Sequence, residues 1–243
     1  MRLRARRLSI IIAALGAVLA WLVINPESYE STFIPVEDTE AGEENVVDQG
    51  GVDGEVELLA INLLERLEVK GRAPKTGYSR EEFYASWPIV DGCSLRQRII
   101  KREFGDSAVL NGCDVVAGEF DEPYTGEHRV FTEKSQISKI QIDHVVALSD
   151  AWQKGAQYKS RETREQIATD PLNLLAVDGK ANNQKSDSDA ATWLPSNKRF
   201  RCQYVARQIS VKYKYELWVT EAEKGAMQEV LAKCPYEPSV GIE

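Results

Sequence analysis

Ile140-Gln141-Ile142-Asp143-His144-Val145-Val146, followed downstream by Asp170-Pro171-Leu172-Asn173-Leu174-Leu175 and Asn182-Asn183-Gln184-Lys185-Ser186-Asp187, decides how this 243-residue chain is read. The apolar, β-branched run from Ile137 to Val146 predicts a strand, and Leu174 to Val177 predicts a second, shorter one. From Gly179 a polar segment reads into a helix near Trp193. An Asp-His pair therefore closes an apolar strand. Strand alternation sends neighbouring side chains to opposite faces, so Asp143 and His144 reach one site only where the strand ends or bulges.

Outward from this centre, Leu58, Leu59, Ile61, Leu63, Leu64 and Leu67 recur at helical spacing, and Gly71 with Pro74 ends that helix. Short helices are predicted over Arg80 to Trp87 and Ser94 to Phe104, the second opened by Asp91-Gly92-Cys93. Strand character flanks Asn111-Gly112 between Val109 and Glu119, and Asp121 to Gly126 is turn chemistry. Ser149 to Tyr158, Arg161 to Ala168, Arg201 to Tyr213 and Thr220 to Lys233 complete the helices, the last opened by a Thr220–Glu223 capping box. Helices outnumber strands and the strands lie near the middle, which is the α+β class. No internal repeat is present.

Charge divides unevenly along the chain. Residues 1–57 hold four of the 30 Lys and Arg, all in the first seven positions, and eleven of the 38 Asp and Glu, so the rest is close to neutral. That balance argues against a bulk electrostatic grip on polyanions and leaves room for a local basic face. The Arg cluster of Met1 to Arg7 runs into 17 uncharged residues, Leu8 to Ile24, which reads as an export signal. Apolar character continues past the small-residue site at Val18-Leu19-Ala20, favouring an uncleaved anchor over a cleaved signal peptide, and the positive-inside rule places everything after Asn25 outside. Residues 25–57 read as an acidic disordered linker and 58–243 as the folded domain. Cys93, Cys113, Cys202 and Cys234 are even in number and lie in the exported part, where disulfides are the default. Of three connectivities, sequential pairing keeps each bond within its own segment. The absence of any C-x-x-C and the presence of only two histidines count against a zinc site.

In the stretches quoted first, the chain resembles the HNH, or ββα-metal (His-Me finger), nucleases. The resemblance implies a helix-rich α+β domain around a ββα-metal core, with Asp143 a metal ligand, His144 the general base, Asn173 the residue that holds the loop and orients the histidine, and Asn182 the second metal ligand. The N-x-x-K-x-D run from Asn182 to Asp187 is also similar to the HNH domains of RNA-guided CRISPR nucleases. Val69 to Tyr78, Asp91-Gly92-Cys93 with Arg96, Pro123-Tyr124-Thr125-Gly126, and Trp193-Leu194-Pro195 through Arg201-Cys202 look like the exported HNH endonuclease family common in actinobacteria. Two departures stand out. Val90-Asp91-Gly92-Cys93-Ser94 lacks the acidic stretch before Gly-Cys and the Asp after it, and Ser186 replaces a usual Gly.

Phosphodiester hydrolysis suits this residue set. The anion repels hydroxide, so a base must make the nucleophile at neutral pH and a cation must absorb the developing charge. Histidine, with an ordinary pKa of about 6.5, supplies the base. Asp143 and Asn182 offer oxygen to a hard cation such as Mg²⁺ or Mn²⁺, and the Asn173 carbonyl can accept the second imidazole N–H. Lys185, Arg96, Arg161 and Arg164 are candidate phosphate contacts, with solvated helix faces as the plainer reading of the arginines. Trp193, Tyr204 and Trp218 read as core, and His128 as a surface residue. The implied activity is a metal-dependent endonuclease on DNA, with RNA as the alternative. No zinc finger or recognition helix is evident, which implies weak sequence preference. A non-catalytic display module on the same fold and a contact-dependent nuclease toxin are the rivals; no protein partner is inferable. If the apolar segment is an anchor, full-length protein stays with membranes through a high-salt wash. A shortened species in the medium, beginning near Trp21, would make it a cleaved signal.

Overall fold

A computed structural model describes residues 58–242, so the predicted anchor of residues 1–24 and the whole of the predicted linker lie outside the described residues. Among the described residues no helix is long and apolar enough to cross a membrane. Helix α1 (Ala60–Arg66) buries Ala60, Leu63 and Leu64 at helical spacing. Where a helix was predicted over 80–87, only a 3₁₀ turn at Arg80–Glu82 forms; Pro88 disfavours helical backbone at Trp87. Strands β1 (Ile89–Val90) and β2 (Cys93–Ser94) then make a minimal antiparallel hairpin. Its connection is Asp91-Gly92, both at positive φ (48° and 78°), the signature of a type I′ turn. The sequence reading took these residues only as a helix start.

Helix α2 (Leu95–Phe104) leads into β3 (Val109–Asn111) and β4 (Asp114–Asp121). The turn after β4 returns the chain as β5 (His128–Phe131), a strand the sequence did not suggest, completing a three-stranded antiparallel sheet in the order β3-β4-β5. The strand predicted over 137–146 is split. Its start is the short helix α3 (Lys134–Ile137), whose Ile137 is buried, and only β6 (Gln141–His144) is extended. Helices α4 (Leu148–Gln153) and α5 (Arg161–Thr169) fill the connection to β7 (Leu174–Val177), which is antiparallel to β6 with Asp143 opposite Leu175 and His144 opposite Leu174. Helix α6 (Gly179–Lys185) follows at once, earlier than the helix expected near Trp193, where the chain forms turns instead. Helices α7 (Arg201–Lys214) and α8 (Glu221–Leu231) close the domain.

Every residue of β7 is buried, as a short uninterrupted apolar run implies. The β6–β7 hairpin packs on both faces. Leu174 and Ala176 join Leu95, Ile99, Ile100 and Phe104 of α2 with Val115 and Phe120 of β4. On the other face Leu175 and Val177 meet Leu63 and Leu64 of α1, Tyr204, Val205 and Ile209 of α7, and Met227 and Leu231 of α8. At about 1.5–3 kcal/mol per buried large apolar side chain, these two layers position the hairpin more firmly than its own few ladder bonds. A third cluster, with Phe83, Leu148, Trp152, Ile167 and Leu217, encloses the connection between the strands.

A buried ion cluster ties the helices together. Lys154 Nζ lies 2.8 Å from Asp150, 2.8 Å from Asp189 and 2.6 Å from Glu223. Lys212 reaches Glu223 at 3.0 Å and Asp150 at 3.3 Å, and Arg72 reaches Asp150 at 3.0 Å and Asp189 at 2.7 Å. Thr220 caps α8 through Glu223 N–H, as predicted, but the Glu223 carboxylate goes to the two lysines instead of completing the capping box. The cysteines pair sequentially, Cys93–Cys113 and Cys202–Cys234, and loops of this size contribute about 3 kcal/mol each.

Burial alone would raise the Asp189 carboxyl, but Lys154 and Arg72 hold it down at about 2, against an ordinary 3.8. Because the folded value is the lower one, the stabilisation is complete above pH 3.8 and is lost as the pH falls toward 2. Burial opposes the charge on Lys212, yet Glu223 and Asp150 raise it above the ordinary 10.5, so its contribution is lost only in strong alkali. Melting curves across pH should therefore fall steeply below pH 3.8, and Glu223→Gln should cost about 3–5 kcal/mol at neutral pH by leaving buried charge unpaired.

Candidate active site

Two-residue periodicity sends Asp143 and His144 to opposite faces of β6. Both are 5% exposed, and each is held by a different part of the chain. Asp143 faces α6. Its Oδ1 accepts from Lys185 Nζ at 3.0 Å and its Oδ2 from the Tyr124 hydroxyl. Lys185 Nζ also donates to the His144 carbonyl at 2.8 Å, tying the end of β6 to the end of α6. Burial pushes the Asp143 carboxyl up, and Lys185 and Tyr124 oppose that rise.

Gln141, two residues before Asp143 and on the same face, accepts at Oε1 from Asn182 Nδ2 at 2.8 Å. Asn182 Oδ1 is buried and has no donor. The structure thus places Asp143 and Asn182 on one side of the hairpin, bridged by Gln141 and Lys185, with no hydrogen bond between them. The start of α6 is anchored by local chemistry. Asp178 caps it by accepting from Ala181 N–H at 2.8 Å and pairs with Arg129 at 2.9 Å. Buried Glu122 accepts from the backbone N–H groups of Tyr124, Thr125 and Asp178. This gives Pro123-Tyr124-Thr125-Gly126 a purpose: the turn aims Tyr124 at Asp143 and sets the first residue before the helix.

On the other face, His144 Nε2 lies 2.9 Å from the Ala168 carbonyl. A carbonyl only accepts, so Nε2 carries the proton and Nδ1 is the basic nitrogen. Among the described residues Nδ1 has no hydrogen-bond partner. Trp87 stacks on the imidazole at 6.0 Å with 8° between the planes, and Tyr84 lies at 5.9 Å. Burial first, and then the positive charge of Arg80, push the imidazole pKa down to about 3, so the ring is neutral.

Asn173 departs from expectation. Its Oδ1 accepts from Val146 N–H at 2.8 Å instead of from the imidazole, and its Nδ2 donates to the carbonyls of Ile167 (3.0 Å) and Val146 (3.3 Å). The amide bridges the exit of β6 and the end of α5, and Ile167 adjoins the Ala168 carbonyl that holds His144. Asn173 thus acts on the histidine through the backbone.

The cations predicted as phosphate contacts are engaged with other parts of the protein. Lys185 is fully buried on Asp143. Arg96 donates to the Ile140 carbonyl at 2.8 Å. Arg164 holds Glu82 by backbone and side chain and packs over Trp152. Each holds a neighbouring segment in place. Sequence reasoning missed Gln141, Tyr84, Trp87 and exposed Arg80, which donates to the Tyr84 hydroxyl. The one available signal was the aromatic density between Tyr78 and Trp87. His128 is exposed on β5, with Asp121 raising its pKa. A cluster of Cys202, Cys234 and Glu237 has metal-like spacing, but both cysteines are in a disulfide and offer no thiolate.

Ser186 ends α6 at φ 51°, ψ −126°, a region that glycine occupies freely and a Cβ resists. Asp187 just beyond it pairs with Lys75 at 2.9 Å and accepts from Ser149 at 3.0 Å, which favours this chain path. The Gly that Ser186 replaces in the resembling family would sit here without that strain.

Residues 96–230 match the family of GmrSD restriction endonucleases, C-terminal domain. A protein of the fungus Arthroderma benhamiae, described as an "Uncharacterized secreted protein", is 34% identical over 178 residues, which cover 72% of this chain and 84% of that protein. No solved structure gives a significant match. From the Ser186 geometry, Ser186→Gly should stabilise the domain by about 1 kcal/mol, read as a higher midpoint in urea.

Proposed function

From the premise that this chain belongs to the family of GmrSD restriction endonuclease C-terminal domains, we propose that it is a metal-dependent endonuclease that hydrolyses DNA phosphodiester bonds outside the cytoplasmic membrane, with His144 as general base. The observation that carries this reading is the state of the imidazole. Nε2 is fixed on the Ala168 carbonyl, and Nδ1 is neutral and has no hydrogen-bond partner among the described residues. A nitrogen so placed takes a proton from an attacking water without losing its orientation. Trp87 and Tyr84 hold the ring plane, and Asn173 holds the backbone that carries the Ala168 carbonyl. Arg80, exposed beside Tyr84, supplies positive charge for an arriving phosphate.

A divalent cation fits the opposite face by the chemistry of its donors. Asn182 Oδ1 is an acceptor with no donor, and the Asp143 carboxylate lies on the same side of the hairpin. Mg²⁺ or Mn²⁺ bound by these oxygens would offset negative charge developing on phosphate and leaving oxygen. On this reading both faces act on one substrate past the end of β6, where strand alternation no longer separates them. An extracytoplasmic site is supported by two disulfides, the secreted relative and the sequence of residues 1–24. The acidic segment of 25–57 acts as its spacer.

Supercoiled plasmid, incubated with the full-length protein with and without Mg²⁺ and EDTA, tests this reading. His144→Ala should abolish most nicking while retaining DNA binding, and raised metal should not restore it. Asn182→Ala should be partly rescued by Mn²⁺, and Asn173→Ala should fall in between, losing about 10- to 100-fold as positioning residues do. Folded His144→Ala protein that nicks at the wild-type rate would remove His144 as the base, whereas wild-type protein that fails to nick with Mg²⁺ would leave the display-module reading in its place.

A further inference from the structure

Lys185 is the feature of this site that a simple two-ligand cation centre does not require. It is wholly buried, its ammonium donates to Asp143 Oδ1 at 3.0 Å and to the His144 carbonyl at 2.8 Å, and it sits one helical turn from Asn182. Tyr124 holds the other Asp143 oxygen. Each carboxylate oxygen therefore already accepts one hydrogen bond and keeps a further lone pair for a cation, and the Asp143–Lys185 pair is neutral before any metal arrives.

We infer that Lys185 is a built-in counter-cation of Asp143, so that a divalent ion binds weakly by itself and binds well only together with the phosphodiester. This rests on the reading of Asp143 and Asn182 as metal ligands. An ion joining the Asp143–Lys185 pair leaves two positive charges in a region closed to water, and desolvated, uncompensated charge is heavily penalised. A phosphodiester brings negative charge to the same place and relieves that penalty. Lys185 thereby restrains Asp143 in the resting enzyme, keeps β6 and α6 together, and makes cation occupancy follow the substrate. A buried carboxylate served only by the cation would behave in the opposite way and charge with metal first.

The test measures Mn²⁺ binding to full-length protein by the loss of the free-ion electron paramagnetic resonance signal, in a His144→Ala background that keeps a duplex oligodeoxynucleotide intact. In that parent, adding the duplex should tighten Mn²⁺ binding by about tenfold or more, the scale of a unit charge at partly screened contact distance. Lys185→Gln, which retains a hydrogen-bond donor and removes the charge, should bind Mn²⁺ alone at least about tenfold more tightly than the parent and lose most of the duplex dependence. Lys185→Met provides the same comparison should the Gln variant unfold, with circular dichroism confirming the fold of either. A parent that binds Mn²⁺ equally with and without duplex overturns the inference, as does a folded Lys185 variant that binds no more tightly. Asp143→Asn distinguishes the two levels. Mn²⁺ binding that survives there removes the metal assignment itself, whereas binding lost there but unaltered in the Lys185 variants removes only the counter-cation role.

Discussion

A strand turns successive side chains to opposite faces, and β6 ends on two that are both polar and both buried. Each needs its own partners in a setting where an unpaired charge or hydrogen-bonding group is costly. The domain supplies them from two directions. Asp143 draws α6 and the turn of residues 122–126 against one face, and His144 draws the end of α5 and the Tyr84–Trp87 segment against the other. Elements distant in sequence meet at this dipeptide because no single neighbour can satisfy both faces.

The second constraint is buried charge away from the site. Asp150, Asp189 and Glu223 are compensated by Lys154, Lys212 and Arg72, with all but Arg72 essentially closed to water. Such clusters seldom add stability over apolar packing; their effect is to penalise other arrangements of the same elements. Here the effect reaches the site. Asp150 is on α4, directly after β6, and Asp189 follows α6 by a few residues. A shift of either element would break the pairing. The ion cluster and the Asp143–Lys185 pair thus hold the C-terminal ends of β6 and α6 from adjoining positions.

Much of this was legible residue by residue. The helical spacing of Leu58 to Leu67, the Thr220 cap, the apolar run of β7 and the sequential cysteine pairs all follow local rules, and the structure shows each of them. The misreadings share a cause. Gln141 to His144 is only the tail of a run that looked like one long strand, because Ile137 could be buried equally well by a helical turn. Glu223 fits a capping box until two buried lysines compete for it. Lys185, Arg96 and Arg164 look like surface cations until their partners, at least 40 residues away in sequence, are in place.

The class of the fold and the order of its central strands and helix could be read from the sequence alone, because periodicity, capping and turn chemistry act over a few residues. Only the tertiary structure decided which imidazole nitrogen is free, that Ala168 and not Asn173 holds the other, and that Asp143 is matched by a buried ammonium. These are matters of which groups meet after burial has removed water as a partner, and burial belongs to the whole fold.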